Sequence, residues 1–364
     1  MKQYFAVGTY TEPILFGTGE VFQGKGKGIS ICELENGNVR VLKEIAVKNP
    51  SFLCIDEEKQ KIYAVNETKE YQGRFGGGVT QLVYDLTGEM RIEKTCCTGG
   101  TDPCHIVIAP NKMFLSVANF ASGAVTVISL DKDGNIEEPC RLFQHEGHGT
   151  HPVRQKGPHA HSTVFYPDCS KMLVPDLGLD KIVEYSYDKE KVVLQKENSV
   201  SVPNGSGPRF GEFGKAGRDF YLINEIGSEV MHFKYAGGCL EYCDTIGTLP
   251  TGFHGENICS DLHITPDGTY LYASNRGDDS LVCFQIEEDG SLTFIERQPC
   301  GGKTPRNFAI DPSGRYVLVG NQDSDNITVF KTAGQGHLEQ VNQFYFGSPV
   351  CIRFFERTEF QRGL

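Results

Sequence analysis

One spacing recurs through this chain and constrains its fold more than any other feature. Six segments open on a short strand-like stretch, pass a Pro/Asp/Gly turn, and close a second strand on Asn or Asp. From the residue that begins the first stretch to the residue that closes the second, the separation is always 15 positions. The pairs are Ser51–Asn66, Cys104–Asn119, His161–Asp176, Arg209–Asn224, Ser260–Asn275 and Arg306–Asn321. Turns tolerate insertions, so an unchanging count marks a repeated structural unit and not a set of unrelated hairpins. Each unit continues through a polar loop, a third strand and a Gly-containing turn, as in "TPRNFAIDPSGRYVLVGNQDSDNITVFKTAGQGHL" (304–338).

A seventh unit is split across the two ends. "YFAVGTYTE" (4–12) resembles the second strand "YVLVGNQDS" (316–324), which puts Thr9 at the Asn position. "SPVCIRFF" (348–355) supplies its first strand, with Val350 at the starting position, and "GISICELENGNVRVLKEI" (28–45) its third and fourth. Seven units of roughly 50 residues, about four strands each, predict an all-β fold: a seven-bladed β-propeller of four-stranded antiparallel blades. Its ring is closed by pairing N- and C-terminal segments in one blade, so residues 1–364 form a single domain with no open blade edge. A linear solenoid would need distinct caps, and none is visible. Two separate sandwiches are the plainer alternative. There is no Trp and no GH…WD pairing, which excludes a WD40 scaffold.

Composition narrows the function classes. Apolar residues at 39% and charged residues at 23% are those of a soluble globular chain. No run approaches the ~18 apolar residues of a membrane span, and "MKQYFAVGTYTEP" lacks the apolar region of a secretory signal. A cytoplasmic location without membrane association is expected. The 13 cysteines include no C-x2-C pair, so reduced thiols are expected and a structural zinc site is not. A formal charge of −12 argues against nucleic-acid binding, yet a local cluster of Arg and His can still dominate a cleft.

In a propeller the first strand of each blade lines the central channel and the second runs antiparallel beside it. The 15-residue spacing therefore defines two rings on one rim. The inner ring is Val350, Ser51, Cys104, His161, Arg209, Ser260 and Arg306. The strand-end ring is Thr9, Asn66, Asn119, Asp176, Asn224, Asn275 and Asn321, followed by Tyr10, Glu67, Phe120, Leu177, Glu225, Arg276 and Gln322. The repeated Asn/Asp has a structural reading, satisfying backbone groups where strand becomes loop. Repetition does not explain His161, Arg209, Glu225, Arg276 and Arg306. Three Arg, one His and one Glu around one opening suit an anionic substrate and acid–base chemistry.

The stretch "HEGHGTHPVRQKGPHAHS" (145–162) holds five histidines. His161 sits on the inner ring and His159 is two residues before it. His145, His148 and His151 lie in the connection entering that blade and read as a solvated loop, with a loop metal site as the lesser alternative. "HEGH" is not the helical H-E-x-x-H of zinc proteases. "GKGKG" (24–28) runs into a strand and not into a helix, so it reads as a flexible inter-strand loop and not a phosphate loop.

"RQ" (154–155), "GPHAHS", "VPDLGLDKI", "GPRF", "NE", "YASNRGDDSL" and "GGKTPRNFAIDPSGRYVLVGNQDSDNITVF" together resemble the lactonase seven-bladed propeller family. That family includes bacterial propeller-type 6-phosphogluconolactonases and a fungal enzyme that lactonises carboxymuconate. The resemblance runs from "VGTYT" (7–11) to "FF" (354–355); it departs at Phe210, which stands where the family often has His. It implies lactone chemistry at the channel mouth, with His161, Glu225 and Arg276 as catalytic residues and Arg209 and Arg154 as neighbours.

On this basis a sugar lactone such as 6-phosphogluconolactone is the expected substrate, with no metal or organic cofactor. His161 would be the general base, Arg276 would stabilise the oxyanion, and Arg209, Arg306 or Arg154 would hold the phosphate. Asp176 could orient the His161 ring, and Glu225 could pair with an Arg or share proton transfer. His159, Asn224 and Gln322 complete the expected substrate-binding set. The partner expected is a small anionic sugar lactone, for a monomer or weak homo-oligomer. A lactonising isomerase of a muconate-type dicarboxylate and a non-catalytic binding platform are the alternatives.

Overall fold

The structure, a computed structural model, describes residues 2–16, 19–84, 89–188 and 192–356. Seven four-stranded antiparallel sheets follow one another around a ring. Blade 1 comprises Leu53–Asp56, Lys61–Asn66, Gly78–Tyr84 and Met90–Cys97, and blade 2 begins at Pro103–Ile108. Blades 3 to 6 have second strands Lys171–Asp176, Asp219–Asn224, Tyr270–Arg276 and Tyr316–Asn321. The closing blade takes its inner strand, Pro349–Phe355, from one end of the sequence and its other three, Gln3–Thr9, Ile29–Glu35 and Asn38–Ile45, from the other. Tyr4 pairs with Phe355 and Val7 with Ile352, the split unit expected from the sequence.

Each blade presents both faces to neighbours, and the side-chain alternation of a strand divides its residues between them. In blade 1, Ile62 and Ala64 pack toward the closing blade, while Tyr63 and Val65 pack toward blade 2. Seven such clusters fill the seven gaps between adjacent blades. The second strands are therefore continuously buried, whereas fourth strands such as Met90–Cys97 are largely exposed. This is why second strands read as near-continuous apolar runs and the fourth strands hold much of the charge. No helix of the described residues is long and apolar enough to cross a membrane.

"GKGKG" is a loop between strands, but a pinned one. Gly26 N–H donates to Tyr10 O at 2.8 Å, and Lys25 pairs with Asp325 at 2.5 Å. A Cβ at Gly26 would lie 2.1 Å from Thr9 Oγ1, so the close approach requires glycine.

Cutting the chain after Gly347 removes the inner strand of the closing blade and opens two of the seven clusters. The truncated protein is expected to lose its cooperative thermal transition and to aggregate, as followed by circular dichroism. A sharp transition at the full-length Tm would contradict the ring-closure account.

Candidate active site

Most inner-ring positions, though not Ser51 or His161, coincide with irregularities in the strand ladder. Pro208 pairs with Asn224 and Phe210 with Ile223, which leaves Arg209 as the extra residue. Cys104 and Arg306 are extra in the same way, and Val350 falls at the corresponding shift in the closing blade. A bulge bends its strand and re-aims one side chain, here into the channel mouth. The residue after the Asn position is fixed by a second constant. Its N–H donates to a carbonyl 18 residues earlier: Glu67 to Asn49, Phe120 to Asp102, Leu177 to His159, Glu225 to Gly207 and Gln322 to Thr304. Most of these acceptors are held at positive φ, including the β-branched Thr304 at 59°, a conformation that sits uneasily on any residue but glycine.

Glu225 is the centre of the cluster so formed. Its backbone is tied to Gly207 in its own blade and to Cys259 N in the next. Its Oε2 accepts from Arg209 Nε at 2.8 Å and Arg276 Nη2 at 2.7 Å, and its Oε1 bonds Arg154 Nη2. His161 Nε2 lies 3.8 Å from Oε2. Arg209 and Arg276 also donate to the carbonyls of Ser260 and Cys259. Burial opposes the charge on Glu225, but the three guanidinium groups outweigh it and hold the carboxyl well below the usual carboxylate range. Burial, reinforced by Arg209 and Arg306 and opposed by Glu225, holds His161 well below its ordinary pKa, so the imidazole is neutral at working pH. Burial also lowers Arg276, to about 9, against the pull of Glu225.

These groups open into a cavity of about 1180 Å³. One wall is apolar. The hairpin Ile14–Leu15/Val21–Phe22 brings Phe16 and Phe22 within 5.9 Å of each other, and Tyr10 within 6.1 Å of both. Arg306 lies over the Tyr10 and Phe16 rings at 5.3 and 5.6 Å. It is 4.0 Å from Glu67 and 3.5 Å from Gln322 Oε1. The inner cluster sets Arg154, Arg209, Arg276 and Arg306 against Glu67 and Glu225, while Glu20, Asp102, Glu256 and Asp323, with Lys69, line the rest of the opening.

Arg154, His159, His161, Glu225, Arg276, Arg306 and Gln322 all line the cavity, and Arg209 reaches it through Glu225. Asp176 and Asn224 do not. Asp176 is fully buried; its carboxylate accepts from His145 Nδ1 at 2.6 Å and from the amides of His159, Gly178 and Leu179. It therefore orients His145 and the blade-3 loop, not the ring of His161, which lies between Cys104 Sγ and Phe120. Asn224 is fully buried and donates to Glu229 at 2.9 Å, the strand-end role its repetition suggested. The three loop histidines do not converge: His145 is buried, His148 bonds Gly149 O, and His151 Nδ1 accepts from the Val153 and Arg154 amides. Among the described residues no three His, Cys, Asp or Glu side chains form a metal-ligating group. Glu67 and Tyr10 join the site although sequence reasoning had not singled them out. The signal was present: Asn-Glu occurs at 66–67 as well as at 224–225.

A propeller whose channel mouth gathers guanidinium groups around a buried carboxylate and a neutral imidazole is equipped to bind an anion and stabilise developing negative charge. The chain belongs to the lactonase seven-bladed β-propeller family, whose description, "Lactonase, 7-bladed beta-propeller", matches residues 4–354, and it is a lactone-hydrolysing enzyme. It is 30% identical over 320 residues to a 6-phosphogluconolactonase of Bacillus subtilis, covering 85% of this chain and 86% of that one. It is 32% identical over 296 residues to a 6-phosphogluconolactonase of Formosa agariphila, covering 79% and 83%. The solved structure of the periplasmic gluconolactonase PpgL of Pseudomonas aeruginosa superimposes with a TM-score of 0.89 at 32% identity, over 98% of this chain and 99% of that one.

Glu225→Gln leaves three buried guanidinium groups facing one another without their anion. Breaking a buried pair in this way costs roughly 3–5 kcal/mol. Because the folded pKa of Glu225 is depressed, its stabilisation is present above the unfolded value of ~4.3 and fades as pH falls through the folded one. The Tm difference between wild type and variant is expected to be large at neutral pH and to narrow on acidification. A difference independent of pH would contradict this.

Proposed function

We propose that the enzyme hydrolyses a phosphorylated sugar lactone, most simply 6-phosphogluconolactone to 6-phosphogluconate. The observation that carries the reading is the buried imidazole of His161 set 3.8 Å from the carboxylate of Glu225, on which three guanidinium groups converge. The names of the relatives supply the substrate class. His161 takes a proton from the water that attacks the ring carbonyl, and the imidazolium so formed is stabilised by Glu225. Arg276, one bond from Glu225 and lining the cavity, faces the charge that develops on the carbonyl oxygen.

Arg306 is the guanidinium least engaged by carboxylate, with a single ion pair at 4.0 Å, and suits the phosphate. Arg154 is a second candidate. His159 stacks on Phe120 at 4.5 Å and its Nδ1 lies 2.8 Å from Phe120 O. A carbonyl can only accept, so Nδ1 carries the proton and Nε2 is left to accept from a sugar hydroxyl. No step calls on a metal or an organic cofactor. A cytoplasmic location belongs to the same reading and is supported by the 13 free thiols, although the Pseudomonas neighbour is named periplasmic.

His161→Ala is expected to lower kcat on the phosphorylated lactone by about 10²- to 10⁴-fold. Arg306→Ala should raise KM for the phosphorylated lactone and leave that for gluconolactone nearly unchanged. Undiminished turnover in the first variant, or equal effects on both substrates in the second, would count against these roles. Loss of muconate absorbance without lactone hydrolysis would point to a lactonising isomerase.

A further inference from the structure

Glu67 and Glu225 hold equivalent positions three blades apart, nearly opposite across the channel, and both line the cavity. Their surroundings differ. Glu225 accepts from three guanidinium groups. Glu67 is 5% exposed, its Oε2 accepts the Tyr10 hydroxyl at 3.0 Å, and its Oε1 has Arg306 at 4.0 Å, beyond hydrogen-bond range. One carboxylate is saturated with donors, whereas the other has one oxygen occupied and one turned to a more distant cation. Environments that separate two carboxyl groups in this way assign one to carry charge and the other to carry a proton.

We propose that Glu67 is the general acid of the lactonase reaction, donating a proton to the ring oxygen as it leaves, with Tyr10 as its positioning residue. The proposal rests on the hydrolytic reading given above. Water forms the new carbon–oxygen bond and gives one proton to His161. The acyl–oxygen bond of the ring then breaks, its electron pair goes to the ring oxygen, and that oxygen takes the proton of Glu67. The resulting carboxylate is received by Arg306 and the Tyr10 hydroxyl. His161 then releases its proton to solvent, and solvent reprotonates Glu67. An aliphatic alkoxide is a poor leaving group, so this proton is needed where the leaving oxygen belongs to a sugar and much less so where it belongs to a phenol.

The groups facing Glu67 agree with the assignment. Burial raises its pKa, with Arg306, the Ser51 and Tyr10 hydroxyls, and Arg209 opposing. Asp102 and Cys104 also face it; burial pushes the Asp102 carboxyl up to about 6 and holds the Cys104 thiol protonated. Glu225 cannot fill the role, because its guanidinium groups keep it ionised.

The test compares gluconolactone with dihydrocoumarin, whose leaving oxygen is phenolic, in wild type, Glu67→Gln and Tyr10→Phe. Glu67→Gln is expected to lose about 10²- to 10⁴-fold in kcat on gluconolactone and far less on dihydrocoumarin. Wild-type kcat should fall as pH rises through the pKa of Glu67, and Glu67→Gln should lack that fall. Tyr10→Phe removes a hydrogen bond to the charged form, so its fall should move to higher pH. Equal losses on the two lactones, an unchanged profile in Tyr10→Phe, or a basic limb that survives in Glu67→Gln and so belongs to Asp102, would each overturn the proposal. If His161→Ala is inactive while Glu67→Gln turns over gluconolactone normally, the hydrolytic reading stands and the role of Glu67 falls. A wild type inert toward 6-phosphogluconolactone as well as these two lactones removes that reading and the proposal with it.

Discussion

The bulge that re-aims one side chain of an inner strand into the channel mouth is the constraint on which the arginines of the site depend. A regular ladder would alternate side chains between the two neighbouring blades and send none along the channel axis. An unpaired residue in blades 2, 4 and 6 and in the closing blade breaks that alternation. In blades 4 and 6 that residue is Arg209 or Arg306; in blade 2 it is Cys104. The hydrogen bond from the amide of Glu67, Glu225 or Gln322 to the carbonyl 18 residues earlier then fixes that residue at the same mouth. The scaffold repeats the geometry and leaves the chemistry to whichever side chain stands at two positions per blade. Function therefore varies at those positions without disturbing the interblade cores.

Electrostatics makes the rim asymmetric. On one side Glu225 neutralises part of three guanidinium groups and keeps them from repelling one another. It also sits close enough to His161 to favour an imidazolium once a proton arrives. On the other side Arg306, Tyr10 and Glu67 form a sparser group beneath the Phe16–Phe22 wall. Catalysis by such a site is chiefly a matter of charges held in place before the substrate arrives, in a cleft where burial strengthens each interaction.

The ring was legible because a turn-length count survives in sequence even where side chains diverge. The split blade was legible for the same reason, since Thr9 and Val350 fit the spacing. His161, Arg209, Glu225, Arg276 and Arg306 were found because each is a charged or titratable residue at a position that most other blades fill differently. What sequence could not give was side-chain direction. Asp176 and Asn224 stand at strand-end positions whose side chains turn back into the blade, so their proximity to His161 and Glu225 in the alignment of units did not become contact. His145 sits in a glycine-rich stretch that looks like a loop, yet it is buried against Asp176 and stacks on Tyr185 at 5.9 Å. Glu67 stands in the same Asn-Glu pair as Glu225, but sequence does not show that Tyr10 and Arg306 meet it at the channel mouth.

The central claim is that the reacting lactone sits at the end of the channel that carries the arginines. A crystal structure of the wild-type enzyme with 6-phosphogluconate bound tests it most directly. The account predicts the product carboxylate beside Arg276 and His161, with its phosphate toward Arg306. Product bound instead at the opposite mouth, among Phe52, Phe210 and Arg353, would contradict it.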